Sequence, residues 1–275
     1  MTPLRPAPKG LRRYRRAVTS TAEKAADLLR LHTDPELLIV VNVWDVISAA
    51  VVAGVPGTKA IATASHSIAA SFGYPDHEVI PRDLMIDMCG RIAAAVDLPV
   101  SADLEAGYGD AGETVRRAVG VGVVGANLED QMRPLPEAVA AVRAAVAAGE
   151  GEGVPFVVNA RTDAFMTAAG RDPKEVLADA VERGKAFLGE GAACVFVPGQ
   201  LDEPTVEALV EGIGERRVSV IAAPGSLSTA RLAELGVARV SFGPFTQWST
   251  LAHLADLAAD VYAGAPLPPG LRPPT

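Results

Sequence analysis

Eight short apolar runs, each followed by a helix-period segment, punctuate the chain between residues 37 and 262. The runs are Leu37–Val43, Ala60–Ala64, Val100–Asp103, Gly125–Leu128, Phe156–Ala160, Cys194–Val197, Val218–Ala222 and Arg239–Phe242. Amphipathic stretches follow near Val46–Ala53, Arg82–Val96, Ala111–Gly120, Pro136–Ala148, Pro173–Leu188, Glu203–Ile213, Ser228–Leu235 and Thr246–Tyr262. The runs are continuously apolar rather than alternating, the signature of strands covered on both faces. Eight such units predict a parallel (β/α)8 barrel of the TIM type, which takes roughly 250 residues. A doubly wound open sheet is the alternative, but it calls for a ligand site at a switch point, and GxGxxG is absent.

The barrel domain is read as residues 21–264, with helical periodicity opening at Thr21. Residues 1–20 form a proline-containing, locally basic extension around Leu11–Arg16, read as solvated. Residues 265–275, with five prolines, form a tail outside the core. An apolar content of 49% suits a large core, and a net charge of −8 argues against a nucleic-acid surface. No run reaches the roughly 18 apolar residues of a membrane span, and no apolar segment follows the basic start as in a secretory signal. A cytoplasmic protein is expected. Cys89 and Cys194 fall in a helical and a strand pattern, at a spacing that suits neither zinc nor a disulfide framework.

In a parallel barrel the chemistry sits where the strands end. Here those ends carry Asp45, then Ser65-His-Ser67, Asp103 with Glu105, Glu129-Asp130, and Arg161-Thr-Asp163. The later ends are rich in glycine and proline: Pro198-Gly-Gln200, Pro224-Gly-Ser226 and Gly243-Pro244. Asp103 and Glu105, two apart at a strand exit, would point the same way and repel, so something must compensate them. A hard cation such as Mg2+ would do so, as would backbone amides or an arginine. The convergence of acids from several strands favours the cation. With Arg161 as a forked carboxylate or phosphoryl binder, the pocket fits a small anionic substrate. His66 reads either as a general acid–base or as a wall, Tyr108 as a proton donor or a shaping residue, and Trp44 as a packing residue or a stacking surface.

Asn42-Val-Trp-Asp45, Ser71-Phe-Gly-Tyr-Pro-Asp76, Ala102-Asp-Leu-Glu-Ala-Gly-Tyr-Gly109, Leu128-Glu-Asp-Gln131 and Ala160-Arg-Thr-Asp-Ala164 together resemble the isocitrate lyase/phosphoenolpyruvate mutase superfamily, in order, from about Thr21 to Tyr262. The resemblance implies a barrel whose last helix is exchanged between subunits, giving dimers that pair into tetramers. It implies Mg2+, or Mn2+ in its place, and reactions through a pyruvate-like enolate. Carried over, Asp103, Glu105 and Glu129 match metal-site acids, and Asp76 matches an acid of the metal's water shell. Arg161 matches the substrate arginine, with Trp44, Asp45, Ser65, His66 and Gly107 around the substrate.

The chain also departs from that pattern. The lyases' K-[KR]-C-G-H loop is absent, because Glu129-Asp-Gln-Met-Arg-Pro-Leu-Pro136 runs straight toward the next helix. The mutase's gating loop is missing too. Gly199 and Ala223 stand where the family carries a glutamate and an asparagine. The reading is therefore a Mg2+-dependent enzyme that makes or breaks a C–C bond beside a 2-oxo or 2-hydroxy carboxylate. Phosphonopyruvate-type P–C chemistry, and a barrel that only binds a 2-oxo acid or a partner, are the alternatives.

Overall fold

The computed structural model describes residues 20–273; the basic stretch Leu11–Arg16 lies outside them. A first helix, α1 (Thr21–Thr33), is capped by Ser20, whose hydroxyl accepts from Glu23 N while the Glu23 carboxylate accepts from Ser20 N. The first apolar run is broken at Val41 into β1 (Leu38–Val40) and β2 (Asn42–Val43). After it come α2 (Val46–Ala53), β3 (Ile61–Thr63), α3 (Ser65–Ser71), α4 (Arg82–Ala95), β4 (Val100–Asp103), α5 (Ala111–Gly120), β5 (Gly125–Glu129) and α6 (Leu135–Gly151). The second half contains β6 (Val157–Arg161), α7 (Pro173–Gly189), β7 (Cys194–Val197), α8 (Glu203–Ile213), β8 (Val218–Ile221), α9 (Thr229–Glu234), β9 (Arg239–Ser241) and α10 (Phe245–Tyr262).

All strand pairs are parallel, in the order β1-β9-β8-β7-β6-β5-β4-β3-β2. Because β1 pairs with β9 and β2 with β3, the broken first run joins the two ends of the sheet and closes the ring. The expected eight-unit barrel is what the chain forms. An open doubly wound sheet is excluded by that closure. The helix α3 was not legible in the sequence: it occupies the strand exit that carries Ser65 and His66.

Apart from Ile39 on β1, strand residues are buried or nearly so on both faces, as the continuous runs require. Inside the ring the filling is partly polar. Asn159 Nδ2 donates to Asn127 Oδ1 at 2.8 Å and to Ser219 Oγ at 3.3 Å, and Arg239 Nη1 donates to Ser101 Oγ at 3.1 Å. At the N-terminal end α1 packs Leu28 against β5 so closely that Gly125 must lack a side chain. A Cβ there would lie 2.7 Å from both Leu28 Cδ2 and the Val157 carbonyl oxygen. Both cysteines are free and buried, and burial pushes each thiol up to about 12, as inert core residues require.

The last helix lies open. Gln247 is its one buried residue, while Trp248, Leu251, Leu254 and Val261 are about half exposed. On β1, Ile39 points outward and is 44% exposed, bare where a barrel strand is normally covered by a helix. Residues 265–273 carry neither helix nor strand and are exposed. Among the described residues no helix is long and apolar enough to cross a membrane.

His32, on α1, is buried beneath the ring. Its Nδ1 lies 2.8 Å from the Leu28 carbonyl oxygen, which can only accept, so the proton sits on Nδ1 and Nε2 is left without a partner among the described residues. Burial, and then the charge of Arg239, hold the imidazole down at about 3. The unfolded chain titrates near 6.5, so between pH 6.5 and 4.5 it binds a proton that the folded chain refuses. Stability should therefore fall as pH drops through that window. His32→Gln should remove up to about 1.4 kcal/mol per pH unit of that slope, read from urea unfolding of both proteins at each pH.

Candidate active site

The strand ends on the far side of the ring from α1 carry the charged residues. Asp103, the last residue of β4, is held by α3: its Oδ2 accepts from Ser65 Oγ at 2.7 Å and Ser65 N at 3.1 Å. Its own N–H donates to Thr63 Oγ1 on β3 at 2.9 Å. The strand stops there, so Glu105 does not continue the alternation expected of it. Instead Glu105 (φ 51), Gly107 (φ 91) and Tyr108 (φ 54) turn the chain through left-handed conformations.

A second left-handed pair, His77 (φ 69) and Glu78 (φ 59), faces that turn. Glu78 N donates to Glu105 Oε2, and Tyr108 N donates to Glu78 Oε1, each at 2.5 Å. Four non-glycine residues held in a sparsely populated conformation, latched to one another, form a strained rim of the kind that clusters at working sites. Gly107 serves that turn. A Cβ on it would lie 2.8 Å from Ala111 Cα, and it does not line the cleft.

Glu129 and Arg161 are register partners on β5 and β6, so their side chains emerge side by side. Arg161 Nη1 lies 2.9 Å from Glu129 Oε2, and Nε donates to Asp163 Oδ1 at 2.7 Å. Burial works against the guanidinium's charge, yet Glu129, Asp163 and Asp103 hold it above its ordinary value. Burial pushes Glu129 up to about 7 despite Arg161, and raises Asp163 too. Asp130 braces the pair from behind. Its Oδ1 accepts from Asp163 N and Met132 N, and its Oδ2 lies 3.2 Å from Arg183 Nη1 on α7.

These residues surround a cleft of about 510 Å3. Of the side chains expected there, Ser65, His66, Asp76, Asp103 and Arg161 line it. Glu105 and Glu129 are buried behind it. Trp44 and Asp45 lie off it: Trp44 packs against the core, and Asp45 caps α2 by accepting from Ser48 N at 2.6 Å. Tyr108 also lies outside, its hydroxyl 3.4 Å from Glu105 Oε1. Burial, and then Glu105 and Glu78, raise that phenol's pKa, which keeps it protonated. His66 Nδ1 lies 3.4 Å from Asp76 Oδ2, and its ring meets Trp248 edge-on at 5.6 Å.

Asn127, Phe245 and Trp248, which nothing in the sequence pattern marks, also line the cleft, as does His77, which from the sequence reads as a surface or core histidine. A search guided by charge has no reason to stop at them. Asn42 lines it as well, and had a legible signal in its place at the head of the Asn42–Asp45 motif. Its Oδ1 accepts from Phe242 N and Gly243 N, tying the exit of β9 to β2.

The donor set suits a hard cation. It is all oxygen, Asp76 Oδ1 is buried with no partner among the described residues, and Glu105 is pushed up to about 8 by burial and by Asp103, Asp76 and Glu129. Among the described residues no three His, Cys, Asp or Glu side chains form a ready cage. The fit is therefore to an ion held by one or two carboxylates and completed by water or substrate oxygens, the usual habit of Mg2+.

A closed parallel barrel with acids and one arginine at its C-terminal mouth defines the class. The family model for phosphoenolpyruvate phosphomutase matches residues 28–262, and the chain belongs to that family, within the isocitrate lyase/phosphoenolpyruvate mutase superfamily of C–C lyases and phosphonomutases. An uncharacterised protein of Mycobacterium tuberculosis is 30% identical over 239 residues, 86% of this chain and 90% of that one. The 2,3-dimethylmalate lyase of Eubacterium barkeri is 28% identical over 210 residues, 70% of this chain and 68% of the enzyme. A solved structure from Burkholderia cenocepacia J2315, provisionally described as a phosphonomutase, superposes with a TM-score of 0.82 at 37% identity. It covers 88% of this chain and 99% of its own.

The brace behind Arg161 is testable by itself. The Asp130 side chain is 1% exposed and that of Arg183 10%, so Arg183→Met leaves a buried carboxylate without its cation. Unfolding in urea should show a loss of about 3–5 kcal/mol. Arg91→Met, which removes an exposed pair with Asp87, should change stability by less than about 1 kcal/mol.

Proposed function

We propose that the chain is a Mg2+-dependent lyase that makes or breaks a C–C bond beside a 2-oxo or 2-hydroxy carboxylate. The observation that carries this is the convergence of Asp103, Asp76 and Arg161 on one cleft, with Glu105 and Glu129 behind them. Asp103, alone or with one further acid, would hold Mg2+ or Mn2+ directly, and the others of Glu105, Glu129 and Asp76 would act through the ion's waters, supplying positive charge where an enolate oxygen develops.

The chain's own residues do the rest. Arg161 has Nε and Nη1 on acids, leaving Nη2 to take the substrate carboxylate. Ser65 fixes Asp103 from both its backbone and its hydroxyl. Proton transfer falls to His66, which lines the cleft beside Asp76, in preference to Tyr108, which is set back and firmly protonated. P–C chemistry is the second reading, favoured by the likeness to the Burkholderia cenocepacia structure.

Incubation with Mg2+ and a panel of oxaloacetate, alkyl-substituted malates, isocitrate and 4-hydroxy-2-oxo monocarboxylates with alkyl or aryl ends should release pyruvate or glyoxylate from at least one member. Asp103→Asn and Arg161→Lys should each lower kcat/KM at least 100-fold, about 2.7 kcal/mol of transition-state stabilisation. Absence of product throughout, or activity untouched by both variants, contradicts the lyase reading. Phosphorus NMR with phosphonopyruvate separates the P–C alternative.

The active form is proposed to be a homo-oligomer, dimer or tetramer. The open apolar face of α10 and the bare Ile39 on β1 support this, because one copy's last helix is a suitable cover for its neighbour. Light scattering should give at least a dimer for the wild type, and Leu251→Asp with Leu254→Asp should yield monomer. A monomeric wild type contradicts it.

A further inference from the structure

The cleft is larger and more apolar than the binding of a three-carbon 2-oxo acid requires. Six heavy atoms and the roughly three or four waters of a bound cation, at the roughly 30 Å3 that a water takes in the liquid, take about 300 Å3 of its 510 Å3 and leave the rest unfilled. Beyond the polar floor it is walled by Met166, Phe196, Pro198, Ile221, Phe245 and Trp248. Phe245 and Trp248 meet edge to face at 5.2 Å, and Trp248 meets His66 at 5.6 Å, so the aromatic wall runs up to the candidate proton carrier.

Charge narrows the choice further. Among the described residues Arg161 is the one lysine or arginine lining the cleft, and two of its nitrogens are engaged by Glu129 and Asp163. It therefore serves a single carboxylate. A second carboxylate on the substrate would meet Asp76, Asp103, the neutral amides of Asn127 and Gln200 and the apolar wall. It would find no further lysine or arginine among the described residues of the cleft, and the imidazole of His66 is already turned toward Asp76. Gly199 and Ala223, at the exits of β7 and β8, offer no side-chain donor, and the neighbouring Gln200 offers a neutral amide rather than a charge. Desolvating an unpaired carboxylate against such a wall is strongly unfavourable.

We infer that the substrate is a 2-oxo or 2-hydroxy monocarboxylate whose far end is an apolar group of about four or more carbons, branched or aromatic, seated against Phe245 and Trp248. This rests on the function proposed above. The carboxylate sits at Arg161, and the apolar end displaces water from the Met166–Trp248 side of the cleft.

Calorimetric titration of the full chain in Mg2+ tests this, with oxalate, pyruvate, 4-methyl-2-oxopentanoate, phenylpyruvate, oxaloacetate and 2-oxoglutarate as probes. Each buried methylene tightens binding about fourfold, so 4-methyl-2-oxopentanoate and phenylpyruvate should bind at least tenfold tighter than pyruvate. Oxaloacetate and 2-oxoglutarate should bind no tighter than pyruvate. Trp248→Ala should reduce the apolar-to-pyruvate preference at least fivefold. Met166→Gln, at a half-exposed rim position that tolerates change, should reduce it in the same direction. If oxalate binds but the dicarboxylates match or exceed the apolar acids, the inference is overturned while the enolate-type site survives. If oxalate does not bind either, the function proposed above falls and takes the inference with it.

Discussion

A closed ring of parallel strands delivers every strand's C-terminal end to the same side, and the site depends on that constraint. Asp103 on β4, Glu129 on β5 and Arg161 on β6 are far apart in sequence. The ring's register makes Glu129 and Arg161 direct neighbours and sets Asp103 beside Asn127, one strand away. Closure itself depends on a two-residue segment, Asn42–Val43, whose neighbour Val41 lets one run pair with β9 on one side and β3 on the other. Asn42 reinforces the seam by accepting two backbone N–H groups from beyond β9.

Concentrating acids at one mouth carries an electrostatic penalty, and the structure distributes the compensation unevenly. Arg161 serves Glu129 and Asp163, Arg183 serves Asp130, and Ser65 serves Asp103. Glu105 receives a backbone N–H from a strained rim and no cation, and its carboxyl is held protonated more readily than any ordinary glutamate. Asp76 keeps one buried oxygen without a partner among the described residues. The charge left over lies on the side where Asp103 and Asp76 face the cleft, which is where a divalent ion would be of most use.

The barrel was legible because its strands are buried on both faces, so period alone separated Val100–Asp103 or Cys194–Val197 from the helices around them. Charged site residues were legible because acids and an arginine at the ends of apolar runs have few structural excuses. Three features were not. The seven-residue helix α3 has too few turns to show a period, though it positions Ser65 and His66. Glu105 was expected to share a face with Asp103 by strand alternation, but the strand ends one residue too early for that rule. The wall of Phe245 and Trp248 carries no charge, and its role depends on the exit of β9 turning directly into α10. Trp44, Asp45 and Gly107 show the reverse case: family-like residues whose side chains or backbone are committed to packing, capping and turning.

The central claim is that the acids around Asp103 take a divalent ion while Arg161 takes a carboxylate in the same cleft. Diffraction from crystals grown with Mn2+ and oxalate, collected where manganese scatters anomalously, addresses both halves at once. The expected result is one anomalous peak bonded to an Asp103 oxygen, with oxalate between it and the Arg161 guanidinium. A map with no peak at Asp103, or with oxalate bound away from Arg161, would contradict the account.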